Sequence, residues 1–283
     1  MFGFLNVYKP KGMTSHDVVA YLRRITKIKQ IGHTGTLDPF AEGVLPICIG
    51  KATRLIEYLQ DNKAYIGTVQ LGSSTTTYDI EGDITNISNK KISIDDINNV
   101  LKDFEGEITQ IPPIYSAIKV NGKKLYEYAR SNQNVTIEPR KVIINEIKTE
   151  NFDNINNTVT ILVSCSKGTY IRSIANDLGE KLGTYGHLIK LVRVKAGDFE
   201  LDDSVKLEDI KTIDDVKNNL INPLIKLDIP TYELNENEIT KVKNGNNIFI
   251  NNSNRTIILT YNNNIAAIGY NENGTIKCKK VFI

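Results

Sequence analysis

The stretch that most constrains the fold runs from residue 32 to residue 46 and reads Gly32-His33-Thr34-Gly35-Thr36-Leu37-Asp38-Pro39-Phe40-Ala41-Glu42-Gly43-Val44-Leu45-Pro46. It contains three glycines, two prolines and a single aspartate. Glycine allows positive φ angles and close backbone approach, while proline fixes φ and removes a hydrogen-bond donor. A backbone specified in such detail holds the side chain of Asp38 in a fixed direction. Asp38 is therefore a candidate for chemistry.

The residues alone leave two roles open for Asp38. An unperturbed aspartate has a pKa near 3.9, so at neutral pH it is an anion that needs no tuning to act as a nucleophile or base. Alternatively, its carboxylate caps a turn ahead of Pro39, as aspartate often does. Composition by itself favours the capping role.

Length and composition indicate a globular protein without a membrane segment. The 283 residues suffice for one large domain, or for a main domain and a small one, and 40% of them are hydrophobic. The chain has no run of about 18 apolar residues, and its first ten residues do not resemble a signal peptide. Its three cysteines lie far apart, which argues against a structural zinc and for a reducing compartment. We expect a cytoplasmic protein that does not bind a membrane.

The net charge of +2 conceals an uneven distribution. Residues 1–60 carry 8 Lys and Arg against 4 Asp and Glu, residues 201–240 carry 4 against 10, and residues 241–283 carry 6 against 1. Two basic regions separated by an acidic one fit a polyanionic ligand that is bound at two places. An ordinary solvated surface explains the same pattern.

The order of apolar patterns predicts an α+β fold with a mainly antiparallel sheet, because hairpins and single helices alternate without a regular βαβ period. We expect strands over 4–8, 44–49, 65–71, 114–120, 141–149, 158–165 and 188–194, and helices beginning at a Ser15 cap and over 52–59, 93–104, 124–130 and 171–182. Asn121-Gly122 is a strong turn signal after the fourth of these strands.

The last third of the chain predicts a separate organisation. The acidic, helical stretch 205–227 is interpreted as a connector. From Ile229 onward, short strands with Asn244-Gly245 and Asn273-Gly274 turns indicate a small β module.

Two familiar kinds of site do not fit the sequence. Gly50-Lys51-Ala52-Thr53 lacks the spacing of a phosphate-binding loop, because Leu45 stands where that motif requires glycine. The three histidines, His16, His33 and His187, have no metal-ligand spacing. We expect neither a metal nor a cofactor.

Two further segments suit a nucleic acid. In Ser164-Cys165-Ser166-Lys167-Gly168-Thr169-Tyr170-Ile171-Arg172, Lys167 and Gly168 precede a helix and can meet a phosphate, whereas Arg172 either pairs with a buried carboxylate or lies on the surface. Residues 112–130 interleave lysines and arginines with tyrosines, as looped RNA requires, although amphipathic packing explains the tyrosines nearly as well.

Taken together, these segments resemble the TruB family of tRNA pseudouridine-55 synthases over nearly the whole chain. The stretch 32–46 is similar to the catalytic loop of that family, and Lys9-Pro10-Lys11-Gly12-Met13-Thr14-Ser15 is similar to its N-terminal motif. Residues 111–117, 122–130 and 165–172 resemble further blocks in the same order. Several long motifs in one order make a chance match improbable.

The resemblance implies roles for individual residues. Asp38 aligns with the essential aspartate of the family, Tyr65 with the tyrosine that stacks on the target base, and Arg172 with the arginine that ion-pairs with the aspartate. Residues that match pocket-lining or RNA-contacting positions are Tyr170, Leu191 and His33, and a polar position near the site is matched by Asp79. Position 76 is a threonine in this chain, whereas some relatives have an acidic residue there. This difference affects only a local loop contact.

The resemblance also implies the fold and the reaction. We expect a pseudouridine synthase domain over 1–227 and a PUA-like RNA-binding module over 228–283. The implied enzyme is a monomer that needs no cofactor or metal. It flips uridine 55 out of the T-arm loop of tRNA, breaks the N1–C1′ bond and rejoins the base through C5.

Several alternatives remain open beside this expectation. Asp38 attacks C6 of the base, attacks C1′, or removes a proton from the ribose. The chain could also be a non-catalytic tRNA-binding or tRNA-folding protein, or the catalytic subunit of a guide-RNA particle.

Overall fold

A computed structural model describes residues 1–131, 133–250 and 254–283 of the chain. The first part of the chain forms, in order, β1 (Gly3–Lys9), α1 (Ser15–Thr26), β2 (Ile31–His33), β3 (Glu42–Ile49), β4 (Lys63–Leu71), β5 (Ser73–Thr75), β6 (Ile84–Ile87), α2 (Ile94–Leu101), β7 (Gly106–Gln110), β8 (Lys119–Val120), β9 (Lys123–Lys124) and α3 (Leu125–Arg130). It continues with β10 (Arg140–Asp153), β11 (Thr158–Cys165), α4 (Ile171–Leu182), β12 (Gly186–Ala196), β13 (Phe199–Glu200), β14 (Val205–Lys206) and α5 (Ile213–Asn218). The final elements are β15 (Thr231–Glu233), α6 (Glu236–Lys243), β16 (Ile248–Phe249), β17 (Thr256–Tyr261), β18 (Asn264–Glu272) and β19 (Thr275–Val281). Short 3-10 helices cover Gly50–Tyr58, Lys102–Phe104, Leu207–Asp209 and Pro223–Ile225.

A ten-stranded mixed sheet forms the body of the protein. Its strand order is β14-β1-β3-β12-β4-β11-β10-β7, with β2 paired to β3 and β13 paired to β12. Only β1 with β14 and β12 with β3 pair in parallel, so the sheet is mainly antiparallel. The expected α+β class with a mainly antiparallel mixed sheet is confirmed.

Helix α4 packs on the sheet because its apolar residues recur at helical spacing. Ile171, Ile174, Ala175 and Leu178 are buried in one core cluster, against apolar residues of β4, β11 and β12. A β-carbon on Gly179 of this helix would lie 2.1 Å from the Gly186 main-chain nitrogen, so only glycine allows so close an approach. This packing fixes the N-terminal end of α4 beside β4.

Strands β5 and β6 form one two-stranded sheet and β8 and β9 another, while β15 to β19 form a five-stranded sheet in the order β15-β17-β18-β19-β16. This sheet contacts the 3-10 helix Gly50–Tyr58, where Lys51 Nζ and Arg54 Nη1 donate hydrogen bonds to the Phe282 and Val281 carbonyls. Phe282 also shares an apolar core with Ala52 and Leu55 of that helix. The boundary expected at residue 228 stays a prediction.

Four local expectations are wrong, and each has a physical reason. The N-cap of α1 is Thr14, which forms a capping box with Asp17, whereas Ser15 is buried inside the first turn. The expected helix 52–59 is a 3-10 helix that begins at Gly50. The expected turns are found, since Asn244-Gly245 forms the turn that ends α6 and Asn273-Gly274 turns β18 into β19.

The largest of these errors concerns the expected connector at 205–227. Val205 and Lys206 form β14, which pairs with β1 at the edge of the large sheet. Leu207, Ile210 and Val216 are buried in a core cluster with α1. Acidic residues dominate this stretch, so its few apolar residues gave little indication that it packs on the main domain.

The strand expected over 114–120 is reduced to its last two residues, which pair with β9 across the Asn121-Gly122 turn. Upstream of this hairpin, the carbonyls of Ser116 and Ile118 accept hydrogen bonds from the main-chain N–H groups of Tyr126 and Leu125. The segment therefore satisfies its backbone against the start of α3 instead of joining a sheet.

In the part of the chain that the structure describes, no helix has both the length and the apolar character to cross a membrane.

Candidate active site

Three backbone segments meet around a cleft of about 600 Å³ between the 34–39 loop, strand β4 and the N-terminal end of α4. The cleft is lined by Thr34–Pro39, Lys63, Tyr65, Tyr115–Ala117, Tyr126, Lys167–Arg172 and Leu191. Five of the residues expected at the site thus line one cleft, namely Asp38, Tyr65, Tyr170, Arg172 and Leu191.

The backbone on each side of Asp38 is held by a different anchor. Ser15 Oγ accepts a hydrogen bond from the Leu37 N–H at 2.8 Å. On the other side, Gly12 N–H donates to the Pro39 carbonyl at 2.8 Å. Lys9 is fully buried, and its Nζ donates to the carbonyls of Pro10, Met13 and Pro39. Burial lowers the pKa of Lys9 to about 8, and the Asp38 charge opposes that shift.

A second buried cation holds the part of the loop that precedes Asp38. Arg193 of β12 is fully buried, and it donates from Nε to the Val44 carbonyl at 2.7 Å and from Nη2 to the Gly35 carbonyl at 3.1 Å. Its Nη1 donates to the Thr36 carbonyl at 3.3 Å. Beside it, a β-carbon on Gly43 would lie 2.3 Å from the Arg193 carbonyl oxygen, and the Gly43 φ of 105° also favours glycine. Arg193 thereby ties β3 and the loop to β12.

Sequence reasoning missed Arg193 and the buried role of Lys9. The signal for Arg193 was a charged residue inside the apolar strand Leu191–Val194, which must find partners when buried.

The carboxylate of Asp38 does not cap its own turn. The turn is closed by the Asp38 carbonyl, which accepts from the Ala41 N–H at 3.1 Å. The carboxylate instead meets Arg172, whose Nη2 donates to Oδ1 at 3.2 Å and whose Nε lies 2.9 Å from Oδ2. Of the two roles left open by sequence, the geometry disfavours side-chain capping.

Arg172 is shared between two carboxylates. Its side chain is only 5% exposed, and its Nη1 lies 3.3 Å from Asp79 Oδ2. The guanidinium also donates to the carbonyls of Tyr115 and Thr77, at 3.0 and 3.3 Å. A buried arginine with this many fixed acceptors has one available position. Of the two open readings for Arg172, the buried ion pair is the one observed.

The two carboxylates differ in access to the cleft. The Asp38 side chain is 34% exposed, whereas that of Asp79 is 4% exposed. Asp79 accepts hydrogen bonds from Thr77 Oγ1 at 2.6 Å and from the Glu81 N–H at 3.0 Å, and it does not line the cleft. Asp79 therefore lies behind Arg172, as a second anchor for the guanidinium.

The protein surroundings raise the pKa of the Asp38 carboxyl above its ordinary value. Burial is the main cause, and the Asp79 charge adds to it, while Arg172 and Lys9 oppose it. A carboxylate that has lost part of its hydration is a stronger base and nucleophile than one in water. Asp38 thus combines a raised pKa with a fixed cationic partner.

The aromatic and apolar walls are also fixed by secondary structure. Tyr65 lies on β4 and is 7% exposed, and burial raises the pKa of its phenol. Leu191 of β12 is 5% exposed and pairs with Gly67 of β4. Tyr170 precedes α4, where its main-chain N–H and carbonyl both bond to the Gln110 side chain. These walls give the cleft one aromatic face and one aliphatic face.

His33, like Asp79, is a sequence-predicted residue that does not line the cleft. It is on β2, and its ring packs edge-on against His16 with 5.9 Å between the ring centroids. Burial lowers the pKa of His33, and His16 adds to the shift. An RNA contact by His33 stays a prediction.

Within residues 1–131, 133–250 and 254–283, no group of three His, Cys, Asp or Glu side chains is arranged to hold a metal ion.

The sequence matches two protein-domain families and is similar to curated relatives. Residues 23–171 match the N-terminal domain of the TruB family pseudouridylate synthases, and residues 172–226 match the tRNA pseudouridylate synthase B C-terminal domain. The tRNA pseudouridine synthase B proteins of Staphylococcus aureus strains MRSA252 and JH9 are each 48% identical over 251 residues. These alignments cover 84% of this chain and 82% of each relative.

Solved structures share the fold. A crystal structure of a Cbf5-Nop10-Gar1 complex matches with a TM-score of 0.70 and 25% identity, over 100% of this chain and 85% of that chain. An H/ACA RNP bound to a substrate RNA containing 2'-deoxyuridine matches with a TM-score of 0.69 and 23% identity, over the same shares of the two chains.

Proposed function

Because the chain belongs to the TruB family of pseudouridylate synthases and is a tRNA pseudouridine synthase, we propose that it acts on uridine 55 in the T-arm loop and that Asp38 is its catalytic group. The isomerisation of a tRNA uridine follows from the 48% identity to curated tRNA pseudouridine synthase B proteins. The position in the tRNA and the roles of the site residues are the proposal.

The ion pair between Asp38 and Arg172 carries this proposal. The two residues are 134 positions apart, and the fold brings them to 2.9 Å at the base of the cleft. Asp38 is the more exposed of the two carboxylates on Arg172, so a nucleotide in the cleft meets Asp38 first. The anchors at Leu37 and Pro39 keep its direction constant. Such preorganisation is what a reaction at one carboxylate requires.

The shape of the cleft supports base eversion. A uridine inside a folded loop must leave its stack before a buried carboxylate can reach it, at a cost of about a few kcal/mol. Tyr65 and Leu191 offer the extruded ring an aromatic and an aliphatic surface. Tyr170 adds a second aromatic ring to the lining of the cleft. These contacts offset the lost stacking.

The isomerisation keeps every atom of the uridine. The N1–C1′ bond breaks, a C5–C1′ bond forms, and a proton leaves C5 while another joins N1. A single carboxylate with a raised pKa is suited to such a reaction, because it can interact with the nucleotide as an anion and can also exchange protons. Arg172 holds the anion in place throughout.

We also propose that residues 228–283 form a PUA-like module with a second RNA-binding site, next to a catalytic domain over 1–227. Lys241 and Lys243 are exposed on α6, and Lys277 is half-exposed on β19. Basic side chains on this module extend the surface available to the phosphates of the tRNA. Because Phe282 shares a core with the 50–58 helix, substitution of these lysines is a cleaner test than deletion of the module.

We propose a stand-alone monomer rather than a subunit of a guide-RNA particle. Two solved structures with this fold are protein complexes or ribonucleoproteins, and the more similar of the two is 25% identical to this chain. The curated tRNA synthases, in contrast, are 48% identical. The complete Asp38–Arg172 pair likewise disfavours a purely tRNA-folding protein.

The test is an assay with the purified full-length chain and a bare tRNA transcript, without other proteins or guide RNA. We expect pseudouridine to form at position 55 alone, and no product from a matched transcript that carries cytidine at that position. Product at another uridine would overturn the positional assignment. A requirement for a guide RNA would overturn the stand-alone assignment.

A further inference from the structure

We propose that Lys63 and Lys167 form a phosphate-binding subsite at the rim of the cleft, and that Asp61 occupies it until RNA arrives. A backbone phosphate next to the everted uridine then takes the place of the Asp61 carboxylate. This inference rests on the proposed function, because it requires an everted nucleotide in the cleft.

Lys63 is an ammonium group that projects beside the catalytic loop. It lies two residues before Tyr65 on β4, so both side chains are on the same face of the strand, and both line the cleft. Its Nζ donates to the Asp61 main-chain carbonyl at 3.0 Å, which is a neutral acceptor. Burial lowers the pKa of Lys63, and the nearby Arg193 charge adds to this. A half-buried cation in such surroundings is stabilised by an arriving anion.

Lys167 approaches the same aspartate from the neighbouring strand, since Cys165 at the end of β11 pairs with Lys63. It follows the end of β11, lines the cleft, and places Nζ at 2.7 Å from Asp61 Oδ2. The hydrogen bond to Asp61 raises the pKa of Lys167. Gly168 beside it has a φ of 83° and no atom within 4 Å of the position of a β-carbon. The rim therefore has open space at Gly168, the residue that follows Lys167.

Asp61 is well suited to give way to a phosphate. The Lys167 and Asp61 side chains are 73% and 54% exposed, and ion pairs that exposed are weak because water and salt screen them. The ribose joins a uridine to its two phosphates, so a base held against Tyr65 brings at least one phosphate to the rim. A phosphate there contacts two ammonium groups, whereas the Asp61 carboxylate contacts one.

The chain contains a matched control pair. Lys141 and Glu107 join β10 to β7, their charged atoms are also 2.7 Å apart, and their side chains are 74% and 57% exposed. Neither residue lines the cleft. Asp61→Asn and Glu107→Gln therefore remove one carboxylate charge each from pairs of equal geometry at different places.

The experiment measures the affinity of the full-length protein for a T-arm stem-loop, with either native linkages or one uncharged methylphosphonate on the 5′ or 3′ side of the target uridine. We expect Asp61→Asn to tighten binding by about two- to fivefold, and Lys167→Gln to weaken it by a similar factor. Lys167→Gln should also reduce the slope of log affinity against log salt by about one. Glu107→Gln and Lys141→Gln should leave affinity and slope unchanged.

The decisive measurement combines the Lys167→Gln variant with a methylphosphonate-containing stem-loop. At one of the two linkages, we expect the methylphosphonate to weaken wild-type binding and to weaken Lys167→Gln binding by a smaller factor, because one of the two ammonium contacts is already lost in that variant. Additive losses at both linkages, or weaker binding by Asp61→Asn, would overturn the subsite. Pseudouridine formation from the native stem-loop is scored separately, so its absence contradicts the proposed function and leaves the affinity results to judge the subsite.

Discussion

Two loops of the molecule each deliver a carboxylate to Arg172, and they hold that carboxylate in different ways. In the 34–41 loop, the anchors act on the main chain, through Ser15, Lys9 and Arg193, and the Asp38 side chain remains 34% exposed toward the cleft. In the 76–83 loop, the hydrogen bonds act on the carboxylate itself, and the Asp79 side chain is 4% exposed.

Under the proposed assignment, this difference distinguishes the carboxylate that reacts from the carboxylate that only anchors the arginine. Asp79 Oδ1 accepts from Thr77 and Glu81 and its Oδ2 faces Arg172, so this carboxylate has little capacity left for a substrate. A carboxylate whose backbone is fixed keeps its direction and can still exchange partners. Arg172 lies between the two carboxylates and contacts both. We therefore expect Arg172 to affect catalysis through Asp38 and stability through Asp79.

The largest stability effect should follow from Asp79→Asn. One of its two side-chain oxygens becomes an NH₂ group that faces either Thr77 or the Arg172 guanidinium, so a buried interaction is lost. We expect the free energy of unfolding to fall by about 2 kcal/mol, measured by urea denaturation at pH 7.

The matched control for this prediction is Asp38→Asn. Arg172 keeps Asp79 and two carbonyl acceptors in that variant, and a partly desolvated charge is removed. Its free energy of unfolding should be unchanged or higher. Equal losses for the two variants would contradict the division of roles between the loops.

A smaller effect concerns pH, and its sign follows from the raised pKa of Asp38. The native state binds the proton more tightly than the unfolded state, so wild-type stability falls as pH rises from the ordinary aspartate pKa through the raised one. The Asn variant has no such group. The free energy of unfolding of Asp38→Asn minus that of wild type should therefore be near zero at low pH. This difference should increase with rising pH and then reach a plateau.

The raised pKa of Asp38 also predicts how activity falls at low pH. If the anionic form of Asp38 reacts, kcat/KM of the wild-type protein should fall as pH is lowered, with a midpoint above the ordinary aspartate value of 3.8. A midpoint at or below that value would contradict a desolvated carboxylate.

Local sequence patterns predicted the elements whose packing is local. Helix α4 was expected over 171–182 and is found there, because an apolar face at helical spacing ends at Gly183, which adopts a left-handed conformation. The segment at 114–120 failed, since its backbone is satisfied by the start of α3 rather than by a neighbouring strand. The stretch 205–227 failed because its few apolar residues are buried by contacts with α1.

The site depends on contacts between distant positions, which local patterns do not contain. The glycines and prolines around Asp38 indicated a fixed loop, yet the pairing with Arg172 came only from the family resemblance. Arg193 and Lys9 were missed because burial of a lysine or arginine against carbonyl groups leaves no periodic signal. Their roles become visible only when three strands and a loop are assembled.

The most direct test of the central claim is the single-turnover rate of pseudouridine formation by Asp38→Asn with a saturating T-arm stem-loop. We expect the rate to fall by at least about a thousandfold, because the variant keeps the shape of the side chain and loses its charge. Affinity should stay within about threefold of wild type, since phosphate contacts dominate RNA binding. A rate within about tenfold of wild type, at unchanged affinity, would contradict the assignment of the chemistry to Asp38.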